Sequence, residues 1–355
     1  MRTGADGLLQ EDDTIMSGIP LGGGYVMAGN ANSADSAVIW QSSDGTAWQR
    51  IDNGPSFADS TMSMLVAIPG GVLAIGAASA GDGLCPGGEG TTCNPVHPIR
   101  LWTSADGQTW QRLSNAAIAV FGRAVLANAA SGPNGLVLFG WHMPVADTAP
   151  TPPMVWTSTD GRTWQVRRQF TRVFPEGVVD GLGVSPNGFV AVGRNTGFNS
   201  PHNPGSAWFS RDGRKWTAAS VPVSTPEKGS IFAGALGLLA SGRTDAGNAF
   251  WSSPDGRSWS AADASSFPFR VNDRSLVLGS DGARIMAVGA DRSGATGAWT
   301  SSDGIAWQSV SSPGTVPSPV TTQGGIFGAV GPLGAVLVTT SSTSTGVFDS
   351  VWVGS

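Results

Sequence analysis

Short apolar runs recur along the whole chain, each closed by Gly, Pro, Asn or Asp. Runs of this kind, too short for helices and bounded by turn formers, predict β-strands. Residues 178–220 show one full cycle. Val178–Val184 reads as a first strand and Ser185-Pro186-Asn187-Gly188 as a turn. Phe189–Arg194 is a second strand, 195–205 a loop, and Ser206–Ser210 and Lys215–Ser220 a third and a fourth. The second-strand pattern returns at Tyr25–Asn30, Val72–Ala77, Leu136–Trp141, Leu238–Arg243, Ile285–Ala290 and Ala335–Thr340. No window of helical length keeps a helical apolar period free of Gly. The chain is expected to be all-β.

Tryptophan sets the larger period. The pattern W-x-S-x-D-G-x-x-W spans Trp40–Trp48, Trp102–Trp110, Trp156–Trp164, Trp208–Trp216, Trp251–Trp259 and Trp299–Trp307. Of the 14 tryptophans, only Trp141 lies outside the repeat, since Trp352 begins a truncated seventh copy. A period of this length with four strands per unit predicts a radial array of small sheets. The expectation is one domain, residues 1–355: a seven-bladed β-propeller of four-stranded antiparallel blades. Thr3–Gly7 reads like Thr103–Gly107, so Leu8–Gln10 is expected to supply the missing fourth strand and close the blade ending at Trp352.

The motif itself predicts a hairpin between third and fourth strands. Gly suits a left-handed turn position, and Asp accepts hydrogen bonds from the turn backbone. Asp44, Asp106, Asp160, Asp212, Asp255 and Asp303 are therefore expected to be structural. Trp40 is expected opposite Trp48, with both indoles buried against the neighbouring blade.

Composition narrows the partners. Gly 51 and Pro 23 are high, but 40% hydrophobic residues and periodic Trp argue for a packed β protein rather than disorder. A net charge of −5 argues against nucleic acid or an anionic membrane as partner. The longest apolar stretch, residues 324–338, carries Pro and many Gly and reads as two strands, so membrane insertion is not expected. Residues 1–13 are acidic and lack the apolar core of a signal peptide. Cys85 and Cys93 flank a Gly-rich segment; a local disulfide is expected, with an extracellular or cell-envelope location. Two reduced loop thiols are the alternative. A Cys zinc site would need two more ligands, which nothing nearby supplies.

The repeats resemble the Asp-box (BNR) repeats of the sialidase-like β-propellers. That family's pattern, Ser/Thr-x-Asp-x-Gly-x-Thr-Trp, marks the hairpin of the third and fourth strands. Here it reads Ser-x-Asp-Gly-x-x-Trp, one residue shorter between Asp and Gly. The resemblance covers the whole chain and implies boxes that are structural and lie opposite the active-site face. A sialidase would use a Tyr–Glu pair, an Asp acid/base and three arginines. This chain has one tyrosine, Tyr25, in a second strand at the place of Phe189, and only Glu11, Glu89, Glu176 and Glu227. Tyr25 is expected in the core, and the chain is expected to keep the frame without the chemistry.

Propeller loops joining second to third strands share a face with the blade-to-blade connections. Three such loops are long: 78–98, 142–153 and 195–205. They hold all three histidines, His97, His142 and His202, with Trp141 adjacent and Phe198 in the third loop. Long loops on a rigid frame are where binding groups concentrate. The candidate ligand site is Arg123, Trp141, His142, Asp180, Arg194 and His202. Trp141 suits stacking on a sugar or an apolar patch, and the arginines suit a carboxylate or sulfate. Solvated loop histidines and a Trp packed beneath its own loop are the plainer alternatives. A three-His metal site lacks a fixing pattern, so no metal and no cofactor are expected. Asp12, Asp13, Asp59, Arg123, Asp180, Lys228, Asp273 and Arg274 are expected to ring the channel mouth.

The expected function is a non-enzymatic, monomeric, secreted or surface-exposed propeller that binds a glycan or protein partner on its long-loop face. The alternatives are a sialidase-like glycoside hydrolase or lyase, whose paired carboxylates would sit in that funnel, and a structural or assembly factor.

Overall fold

The computed structural model describes residues 13–31, 35–51, 54–80, 96–142, 153–167, 178–194, 205–219, 230–244, 247–272, 276–310, 326–331, 334–343 and 346–354. These form six four-stranded antiparallel sheets, each in chain order from first to fourth strand. They are blades 1 to 6: residues 13–51, 60–112, 124–167, 178–219, 230–261 and 277–309. A further sheet has three strands, Ile326–Gly331, Gly334–Thr343 and Gly346–Gly354. First strands of successive blades touch, and Ile326–Gly331 touches the first strands of both blade 6 and blade 1. Among the described residues the molecule is thus a β-propeller with six complete blades, not the seven four-stranded blades expected. The proposed closing strand Leu8–Gln10 and the box-like Thr3–Gly7 lie outside the described residues.

The hairpins follow the motif closely. In blade 2, the Ser104 Oγ accepts from the Gly107 N–H at 2.8 Å. Asp106 Oδ1 accepts from the backbone N–H of Gln108 and Thr109, each at 2.8 Å. The Trp110 indole N–H donates to the Gly107 carbonyl at 2.9 Å. Blades 1, 3, 4 and 5 repeat these bonds. Blade 6 keeps the Ser301 and Asp303 bonds, but the buried Trp307 indole N–H has no hydrogen-bond partner. The motif Ser, not named among the expected turn-forming residues, is the buried member that holds the Gly N–H.

The register corrects one expectation. Trp40 pairs with Arg50, and Trp102 with Arg112. The second Trp therefore stands two residues before the position opposite the first. Alternation still puts both indoles on one face. That face packs on the preceding blade: Trp102 and Trp110 pack with Val26 and Ile39 of blade 1, and Trp156 and Trp164 with Leu73 and Leu101 of blade 2. The motif glycine seals the joint. Gly107 has φ +78°, and a Cβ there would lie 2.7 Å from Val26 Cγ2.

The connections between blades add an aromatic wedge that the Trp period did not announce. Phe57 packs against Trp102 and Trp110, with ring centroids 6.2 and 6.3 Å away. Phe121 does the same for Trp156 and Trp164 at 5.4 and 5.7 Å, and Phe267 and Phe269 fill the equivalent place in blade 6. Phe121 is carried by the short helix Asn115–Ile118, capped by Ser114, and the following turn Ala119–Phe121. Each wedge is fully or almost fully buried, which contributes a few kcal/mol of hydrophobic stabilisation.

Candidate functional site

Two faces result from this topology. Hairpins and first-to-second turns share one face, and bonds between blades fix their level. The Gln41 side-chain amide donates to the Asp106 carbonyl at 2.7 Å, that of Asn134 to the Arg211 carbonyl at 2.9 Å, and the Leu236 N–H to the Ser302 carbonyl at 2.9 Å. The strand ends that lead into the second-to-third loops and the blade connections lie on the other face.

First strands line the centre, and four consecutive ones carry an extra residue. The register skips Met16, Ser63, Ala127 and Asp180 in blades 1 to 4. Such bulges bend a strand and re-aim a side chain. The groups displaced from the ladder are taken by the neighbouring blade. Asn30 Oδ1 accepts from the Met62 N–H at 2.7 Å, and the Asn128 amide donates to the Val179 carbonyl at 3.1 Å. The glycine recurring in the second strand faces this distortion: a Cβ on Gly29 or Gly76 would run into the carbonyl of Thr14 or Thr61.

The described candidates, Arg123, Trp141, His142, Asp180 and Arg194, fall on the long-loop end of blades 3 and 4. His142 pairs with Ala124 and Trp141 with Val125, so Arg123 directly precedes the residue opposite His142. Trp141 also pairs with Pro153. His142 is exposed and stacks on Trp156, with centroids 6.2 Å apart and planes at 29°. Trp141 and Arg123 are half-buried. Asp180 is the half-buried bulge residue, and Arg194 ends the second strand opposite Val178. His202 and Phe198 lie outside the described residues, as do Cys85 and Cys93.

The other candidates scatter. His97 bonds through Nδ1 to the Ala78 carbonyl at 2.8 Å, a contact within its own loop. Among the described residues, no three His, Cys, Asp or Glu come together as metal ligands. Asp13 does not stand on the rim: its side chain is buried and pairs with Arg50 at 3.2 Å. Asp59 holds φ +51° in a blade connection, and its carbonyl accepts from Arg100 at 2.7 Å. Asp12, Lys228, Asp273 and Arg274 lie outside the described residues. Tyr25 is fully buried with Ile15, Met27, Trp40 and Val336 of the three-stranded sheet, and burial raises its phenol above the ordinary range.

Electrostatic perturbation concentrates on the hairpin face. The Thr46 hydroxyl, then the Ala47 and Thr46 N–H groups, hold Asp44 far below the usual carboxylate range. The Thr109 and Gln108 N–H groups lower Asp106. At Asp160, Asp212, Asp255 and Asp303, burial pushes upward as the largest single effect, but the hydrogen bonds together outweigh it. These shifts are those of caged, ionised turn residues, the structural kind of perturbation.

No protein-family model and no curated protein matches the chain. Among solved structures, it is similar to YCF48 bound to D1 peptide: TM-score 0.55 and 15% identity over 98% of this chain and 94% of that one. It also matches Trypanosoma rangeli sialidase in complex with sialic acid, with TM-score 0.46 and 12% identity over 97% of this chain and 54% of that one. The chain spans about half the length of that sialidase. The fungal Aleuria aurantia lectin, a six-bladed propeller with fucose recognition, aligns with TM-score 0.45 and 14% identity over 84% and 94%. At these identities the likeness is one of fold, and it is to β-propellers.

Proposed function

We propose that this chain is an Asp-box propeller of the sialidase-like kind that binds a glycan or protein segment, without catalysis, on its long-loop face. The supporting observation is the junction of blades 3 and 4. A half-buried Trp141 and an exposed His142 end one strand beside Arg123, while a bulge sets Asp180 on the adjoining first strand. An aromatic surface bordered by a few charged groups is the usual make-up of such a site. A propeller solved with a bound peptide shares the fold. Burial of Tyr25 in the core speaks against its acting as a nucleophile. In this reading the Cys85–Cys93 disulfide staples the blade 2 loop, Leu8–Gln10 supply the fourth strand of the three-stranded sheet, and the protein is extracellular or in the cell envelope.

A glycan array and a peptide array, run beside a sialoside hydrolysis assay, test the reading. Trp141→Ala and Arg123→Ala should each weaken capture about tenfold or more, with the melting curve kept. Turnover of a glycoside that disappears in Asp180→Asn would replace binding with catalysis. Capture indifferent to both substitutions would remove the site from this face.

A further inference from the structure

The hairpin face is chemically lopsided. Between the motif Ser and the second Trp, blades 3, 4 and 5 carry Arg162, then Arg211, Arg214 and Lys215, then Arg257. The same loops in blades 1, 2 and 6 carry no Lys or Arg. All five basic residues are exposed, and none makes a salt bridge among the described residues. The Arg257 guanidinium lies 4.3 Å from the centre of the Phe209 ring of blade 4, which ties it to the neighbouring blade. The acidic residues among them, Asp160, Asp212 and Asp255, are occupied by their own turn N–H groups.

Beside this basic arc stand two exposed large aliphatic residues. Leu236, in the first-to-second turn of blade 5, is 68% exposed, and Ile305, on the blade 6 hairpin, is 53% exposed. Only one other large hydrophobic residue among those described is comparably exposed, Met16 in a central strand. The Leu236 N–H bond to the Ser302 carbonyl holds these two turns together. Ala235 and Ala306 beside them are exposed as well.

From this juxtaposition we infer that the hairpin face docks on the surface of an anionic lipid bilayer. Leu236 and Ile305 enter the headgroup boundary, and the arc from Arg162 to Arg257 meets the lipid phosphates. The features are exposed turn tips on one face, tied in pairs by the Asn134–Arg211 and Leu236–Ser302 bonds. A bilayer offers both phosphates for the basic arc and a hydrocarbon boundary for Leu236 and Ile305, whereas a soluble polyanion offers those two side chains no apolar partner. Clustered basic residues near apolar ones are the two-part signal for reversible membrane attachment. The net charge of −5 hides this, because the described carboxylates of these hairpins, Asp160, Asp212 and Asp255, are caged in their own turns.

Co-sedimentation with phosphatidylcholine vesicles, with and without phosphatidylglycerol, is the test. Binding should require the anionic lipid and fall as salt rises. Replacing Arg211, Arg214 and Lys215 together by Ser should weaken it about tenfold or more. Leu236→Ser with Ile305→Ser should also weaken it about tenfold, although no charge changes. These positions are exposed tips, so melting curves should match the parent. Absence of binding to anionic vesicles would overturn the proposal. So would binding unaffected by the Leu236 and Ile305 changes and matched by soluble heparin, which would make the arc a polyanion site. All the substitutions lie on the face opposite Trp141, so this proposal and the long-loop ligand site fail separately.

Discussion

Three substitutions in the blade 2 hairpin should rank in an order set by burial rather than by charge. Asp106 accepts two backbone N–H bonds at 2.8 Å and one from Ser104 Oγ at 3.0 Å. Its turn is exposed, so in Asp106→Ala the freed N–H groups reach water and the loss is about 1 kcal/mol. Ser104 is only 4% exposed and satisfies the buried Gly107 N–H. Ser104→Ala strands that donor, at a cost of about 2 kcal/mol. Gly107→Ala must hold φ +78° and push its Cβ against Val26 and Leu21 of blade 1. Left-handed strain plus overpacking gives about 3 kcal/mol. With about 2.1 cal/mol/K of unfolding entropy per residue over 355 residues, 1 kcal/mol corresponds to about 1.3 °C. Expected drops in Tm are then about 1, 3 and 4 °C in that order, read by calorimetry or tryptophan fluorescence. Ligand capture on the long-loop face should persist in all three. The reasoning is refuted if Asp106→Ala costs more than Ser104→Ala, or if it removes binding while leaving Tm unchanged.

Acid should act through the same turns. Six hairpin-motif carboxylates are held below their ordinary range in the folded chain. Their stabilisation is complete above the unfolded value, near pH 4, and is lost as pH falls through the lower folded values. Tm should therefore be level down to about pH 5 and then decline. Asp106→Asn with Asp160→Asn should lower the plateau and flatten the decline; curves parallel to the parent's would contradict the linkage. For Cys85 and Cys93, intact mass after alkylation should show no added label until a reductant is present. Labelling of both thiols without reductant would remove the disulfide.

The strand pattern and the Trp period were legible in the sequence because both are local. Strand alternation and the turn chemistry of Ser-x-Asp-Gly depend on neighbours within a few residues. All six motif hairpins and all seven second strands are present where the sequence put them. Tyr25 was likewise readable as core from its register position in a second strand.

The pairing of Trp40 with Arg50 rather than Trp48 was not legible, because the bonds of Asp44 and Ser42 lengthen the loop beyond a simple hairpin. Nor were the wedges Phe57, Phe121 and Phe267, whose partners lie on the next blade. The bulge at Asp180 depends on how two first strands approach each other around the centre, which no single strand encodes. Charge shows the division most clearly. Sequence determined the sum, −5, and with it the expectation of no anionic partner. Only the tertiary structure decided that the loops of blades 3 to 5 stand side by side on one face, with Leu236 and Ile305 next to them. Period and turn chemistry are written along the chain, whereas a surface is made by residues that the ring brings together from far apart in it.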